Sequence, residues 1–150
     1  MGTQRDLSFL QHLAQHLFAP TRLHILMVDP DLGGAHQLAS AISREHTVTV
    51  VGTVAAAYGA IGARMPTLVA TELDLPDASG LELLTALHTH PATQRVLLLV
   101  LTWRASIQDK IAAFQAGADD FLVKSVDPQT FAGHVRRLAR FRQVLASGGS

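Results

Sequence analysis

The residues able to do chemistry fall at a few punctuated points of the chain. Asp29 and Asp31 flank Pro30 after an apolar run, and Glu72 and Asp74 follow a second run. Thr102 closes a third, six-residue aliphatic run, and Lys124 closes a fourth. Carboxylates from two segments, a hydroxyl and a lysine are the groups that hold a cation or a phosphoryl group. Such a set works only if the fold brings all four points to one place.

The intervening sequence says how it would. Leu23–Val28, Thr47–Val51, Leu68–Thr71, Val96–Leu101 and Phe121–Val123 read as strands, the fourth as one buried on both faces. Helical spacing separates them. Leu38, Ala41 and Ile42 mark a first helix and Val54–Ala63 an Ala-rich second. Leu81, Leu84 and Leu87 mark a third, closed by Pro91, and Ile107, Ile111 and Phe114 a fourth that ends near Gly117. Asp127-Pro128 opens a fifth, with Phe131, Val135, Leu138, Phe141 and Leu145 down one face. Five strands alternating with five helices predict an α/β fold, a doubly wound parallel sheet covered on both faces. The crevice of such a sheet lies at the carboxyl ends of its strands, where Asp29, Asp31, Glu72, Asp74, Thr102 and Lys124 all fall.

Three parts are expected. Residues 1–20 form an amphipathic extension, with Leu7, Leu10, Leu13 and Leu17 at helical spacing, Phe9 and Phe18 beside them, and Pro20 as the stop. Residues 21–146 are the domain, and 147–150 a flexible tail or linker.

Composition narrows the function. Of 150 residues 48% are apolar and 16% charged, which suits a single packed domain. Twelve basic and twelve acidic residues cancel, so no overall field favours nucleic acid or a membrane surface. With no cysteine there is no disulfide, thiol nucleophile or Cys-ligated zinc. No apolar run approaches a spanning length and no secretory signal opens the chain, so a cytoplasmic domain is expected.

Four stretches in order resemble the receiver domain of two-component response regulators, over roughly Arg22 to Leu145. They are Ile25-Leu26-Met27-Val28-Asp29, Leu75-Pro76 through Gly80-Leu81-Glu82-Leu83-Leu84, Leu101-Thr102, and Gly117-Ala118-Asp119-Asp120-Phe121-Leu122-Val123-Lys124. The resemblance implies a flavodoxin-like sheet of strand order 2-1-3-4-5. It also implies a switch: a histidine kinase phosphorylates an aspartate after strand three, and an acidic pair after strand one helps bind Mg²⁺. A hydroxyl and a lysine contact the phosphoryl group, and an aromatic on strand five moves with the hydroxyl to remodel the helix four–strand five–helix five face.

Carried over residue by residue, Lys124 fits the lysine, Thr102 the hydroxyl, Phe121 the switch aromatic and Asp29 the first of the acidic pair. The second of that pair is Pro30, which offers no side-chain ligand. The acceptor position, four residues before Pro76, is Glu72. Trp103 stands where a small residue is usual and is expected to cover the pocket; Ser125 replaces the proline after the lysine and puts a cis peptide there in doubt. A glutamate is one methylene longer than aspartate and is misplaced for in-line transfer. One carboxylate fewer leaves a weak or absent Mg²⁺ site at Asp29 and Glu72.

The expected function is therefore a receiver-like signalling module, not an enzyme, that is not phosphorylated in the ordinary way. Glu72 would pair with Lys124, reach toward Thr102, and hold one conformation. Its partner would be a protein: a histidine kinase, an output domain or a second receiver. A homodimer would form through the helix four–strand five–helix five face or the N-terminal helix. The alternatives are a conventional Mg²⁺-dependent switch accepting phosphate on Asp74 or Glu72, and a flavodoxin-like cofactor-binding protein or enzyme.

Plainer readings stand beside these. Asp31 reads better as a helix N-cap than as a metal ligand, and Asp74 better as a solvent-facing loop carboxylate than as an acceptor. His12 and His16 have zinc-compatible spacing without a third ligand, and His88 and His90 read as surface residues. Arg136, Arg137, Arg140 and Arg142 make the last helix basic, which fits a partner surface or a solvated face better than DNA. Gly33-Gly34 lacks the spacing of a nucleotide loop.

Overall fold

A computed structural model describes Leu10 and residues 22–148, with side chains up to residue 141. The elements are β1 His24–Val28, α1 Leu32–Ala39, β2 Thr47–Val51, α2 Val54–Ala63, β3 Leu68–Thr71, α3 Gly80–Thr89, β4 Leu97–Thr102, α4 Ile107–Gln115, β5 Asp120–Val123 and α5 Pro128–Gly148. The strands form one parallel sheet in the order β2-β1-β3-β4-β5. The expected topology is the one observed.

Strand alternation splits the core in two. Ile25, Met27, Leu68, Ala70, Leu97, Leu99 and Leu101 face a layer filled by Ala35 and Ala39 of α1 and by Phe131, Val135 and Leu138 of α5. Leu26, Val28, Val69, Leu98 and Val100 face the opposite layer, built from Val54, Ala57 and Ile61 of α2, Leu83, Leu84 and Leu87 of α3, and Ala113 of α4. The five aliphatics of β4 serve both faces, which is why that strand has no polar side until Thr102.

Helix ends follow local chemistry. Thr53, Ser79 and Ser106 each cap the following helix through a side-chain oxygen, and Asp127 accepts from the Thr130 amide at the start of α5. Gly117 takes φ +113° just after α4, a conformation a Cβ would strain and for which His88 leaves no room. The peptide after Lys124 is trans, as are all others among the described residues.

One sequence expectation needs correction. The first helix ends at Ala39; Ala41 and Ile42 lie in tight turns whose amides bond three residues back, to Leu38 and Ala39. Ile42 is buried, so the apolar spacing reported burial and not helix. On α4 the stripe Ile107, Ile111 and Phe114 is 49–71% exposed, and only Ala113 is buried. Apart from Leu10, the N-terminal extension, His12 and His16 included, lies outside the described residues, as do residues 149–150 and the Arg142 side chain. No helix among the described residues is long and apolar enough to cross a membrane.

Candidate functional site

Three strands end in a charged residue that stays in the sheet's hydrogen-bond ladder through its own amide. Asp29 N donates to Val51 O (2.9 Å), Glu72 N to Val28 O (2.9 Å) and Lys124 N to Thr102 O (2.8 Å). The backbone thus fixes where each side chain starts. All three then converge. Lys124 Nζ lies 2.7 Å from Asp29 Oδ2 and 2.7 Å from Glu72 Oε2. The side chains are only 10%, 7% and 5% exposed, which removes the water that weakens surface pairs.

The carboxylate oxygens on the far side are also engaged. Asp29 Oδ1 accepts from the Asp31 amide at 2.9 Å. Glu72 Oε1 accepts from Leu73 N at 2.7 Å and Asp74 N at 3.3 Å. The extra methylene lets the glutamate carboxylate fold back over its own following amides while its other oxygen meets the lysine. Burial alone would push the Lys124 ammonium down. The hydrogen bonds and charges of Asp29 and Glu72 outweigh it and hold the ammonium above its usual value.

The loop beneath is held tightly. Gly80 N donates to Leu73 O at 2.9 Å, and a Cβ on Gly80 would overlap the Glu72 carbonyl oxygen. Asp77, in the same loop, accepts from Val54 N and Ala55 N, both at 2.9 Å, and so caps α2 from across a gap in sequence. Those amides keep its carboxyl below the usual carboxylate range.

The remaining candidates lie around this triad but do not all join it. Thr102 is fully buried, and its hydroxyl accepts from Arg104 N at 3.2 Å; Glu72 does not reach it. Phe121 is half-buried on β5, with Lys110 Nζ 6.0 Å from its ring centre. Asp31 is exposed and caps α1 through Gly34 N (3.1 Å), so it lies outside the acidic pocket. Asp74 also turns away. Arg104 holds it bidentately, Nε to Oδ2 at 2.9 Å and Nη2 to Oδ1 at 2.7 Å, and keeps its carboxyl below the usual range. Trp103 is 67% exposed, so it is not a lid; the ion pairs themselves fill the pocket.

A divalent cation would need these same oxygens. Pro30 supplies no side-chain ligand, the two carboxylates share a lysine between them, and no group of three His, Asp or Glu side chains is assembled among the described residues. The donor set does not fit Mg²⁺ in this arrangement.

Sequence reasoning missed the loop-crossing contacts. Arg104 links Asp74 to Asp109, 3.5 Å away, and nothing in the sequence pairs them. Ser106 and Asp109 did carry a signal, the S-x-x-D spacing of a capping box, and they bond reciprocally. Asp120 receives both Arg137 Nη2 (2.9 Å) and His134 Nδ1 (3.0 Å), so part of the basic face of α5 is paired. Burial would raise the Asp120 carboxyl, but hydrogen bonds from His134, the Phe121 amide and Arg137 bring it below its usual range.

Comparison with known proteins identifies the fold and the family. The chain is 26% identical over 130 residues to the response regulator Rre1 of Synechocystis, covering 85% of this chain and 56% of that protein. It is 31% identical over 117 residues to the probable transcriptional regulatory protein TcrX of Mycobacterium tuberculosis, covering 77% and 49%. The chain therefore spans about half the length of these curated relatives. In fold it is similar to a CheY-like receiver domain protein of Methanospirillum hungatei, with TM-score 0.75, 22% identity and coverage of 82% and 98%. It is likewise similar to the chemotaxis response regulator CheY4 of Vibrio cholerae, with TM-score 0.72, 19% identity and coverage of 78% and 98%. The model of the response regulator receiver domain matches residues 25–136, most of the chain, and the protein belongs to that family.

Proposed function

We propose that this receiver domain works as a signalling module without ordinary phosphorylation, because Glu72 occupies the place of the acceptor and is already neutralised by Lys124. One observation carries the reading: Lys124 lies 2.7 Å from both Glu72 and Asp29 in a nearly water-free pocket. A phosphoryl group entering there would have to displace a satisfied carboxylate, and its charge would find no free lysine. Magnesium would have to take two carboxylates from the same lysine, without help from Pro30. The domain then acts through protein contacts in one held conformation. A histidine kinase, an output domain or a second receiver is the class of partner, and the face formed by α4, β5 and α5 is the candidate surface.

The bidentate Arg104 clamp on Asp74 counts against phosphate transfer to Asp74. The test compares the wild-type chain with Glu72→Asp in acetyl phosphate and Mg²⁺, read by intact mass. Beryllofluoride titration followed by the emission of Trp103, the only tryptophan, runs alongside. The wild type is expected to gain no phosphoryl mass and to show no beryllofluoride response. The shortened variant frees Lys124 from its second carboxylate and is expected to respond at raised Mg²⁺. A phosphorylated wild type would refute the reading and restore the conventional switch. If the variant also stays silent, Pro30 is enough to close the site.

A further inference from the structure

The last helix is longer than the sheet it covers. α5 has 21 residues, about 31 Å of helix, whereas the strands of 4–6 residues span about 13–20 Å. Phe131, Val135 and Leu138 are buried under the sheet. Phe141, three residues further on the same side, is 50% exposed because the sheet has ended. The overhang emerges at the amino end of the strands. Arg136, five residues earlier, reaches Glu45 (3.7 Å), which lies two residues before β2.

The chain enters at that same end and in the same layer. Leu23, just before β1, packs in the core cluster shared with α5. Upstream lies the stripe Leu7, Leu10, Leu13 and Leu17, and Leu10 is 56% exposed. Four residues, Phe18 to Thr21, join the stripe to Arg22 and span up to about 13 Å. A helix over residues 7–17 is about 16 Å long. The apolar stripe of the sequence, with Leu10 exposed, and the exposed Phe141 thus meet at one end of one layer. The other exposed stripe, Ile107, Ile111 and Phe114, lies across the sheet, on the helix that contributes Ala113 to the opposite core.

We propose that residues 7–17 dock against the overhang of α5 at Phe141, forming an intramolecular clasp between the two ends of the domain.

The absence of cysteine makes the test direct. Phe141→Cys is combined with Leu10→Cys or Leu13→Cys, and oxidised in the full chain. A disulfide requires Cα atoms within about 7 Å. The controls are Phe141→Cys with His12→Cys, on the opposite side of the stripe, and Ile111→Cys with Leu10→Cys. Circular dichroism checks that each variant is folded, and the half-exposed Phe141 position tolerates the change. The expected result is a monomeric, internally crosslinked product for a stripe pair, forming several-fold faster than either control. A disulfide-linked dimer would overturn the clasp in favour of a second copy. Crosslinking to Ile111→Cys would place the segment on the other face and overturn it as well. So would stripe pairs that react no faster than the His12 control.

Discussion

Replacing Lys124 with methionine removes the single cation from a pocket that holds two carboxylates. Asp29 Oδ2 and Glu72 Oε2 each lie 2.7 Å from Nζ, so they are at most about 5.4 Å apart. At an effective dielectric of about 20, two like charges at that distance repel by about 3 kcal/mol. Breaking a buried pair from one side typically costs about 3–5 kcal/mol, which agrees. In urea unfolding, with m about 2 kcal/mol/M, the midpoint should fall by about 1.5 M at pH 8. Adding Glu72→Gln to Lys124→Met removes the repulsion and should recover at least half of the loss. A loss under about 1 kcal/mol, or one that Glu72→Gln leaves unchanged, would show that the three side chains are not a closed electrostatic unit.

Two further outcomes are expected. His46 is 2% exposed, and its Nδ1 accepts from Leu23 N at 3.0 Å, so the folded state needs the neutral ring. Burial first, then Arg22 and Arg136, lower its pKa against the opposing pull of Glu45. The unfolded chain therefore takes up the proton first, and stability should fall as pH drops below about 6.5. Thermal melts between pH 5 and 8 should show that slope, flattened in His46→Leu. Gly80→Ala would drive a methyl group into the Glu72 carbonyl and the Leu73 backbone, and should cost about 2 kcal/mol or more in chemical denaturation. An effect below about 0.5 kcal/mol would mean that the loop after β3 yields easily.

The sheet was legible because its strands are unmistakable. The continuous aliphatic run of β4 and the β-branched run of β2 do not resemble a helix period, and polar residues close each strand on one side. That edge placed Asp29, Glu72 and Lys124 together before any coordinates, since parallel strands carry their carboxyl ends to one crevice. Turns were less legible. The spacing of Leu38, Ala41 and Ile42 records which side chains are buried, and a pair of tight turns buries them as well as a helix does. The clamps were legible only where they were local. Asp31 and Asp127 act three residues away, within reach of a sequence pattern, whereas Arg104 on Asp74 and Asp77 on α2 join loops 20–30 residues apart. No periodicity encodes which loops the sheet order makes neighbours.

The triad of Asp29, Glu72 and Lys124 also shapes how the pocket meets heat. Hydration of charged groups becomes less favourable on warming, so the dehydration penalty that opposes a buried ion pair falls. Hydrophobic burial levels off over the same range. Relative to the layers of Leu and Val around it, the charged knot tightens as temperature rises. Warming alone is therefore a poor way to free Lys124 from Asp29 and Glu72.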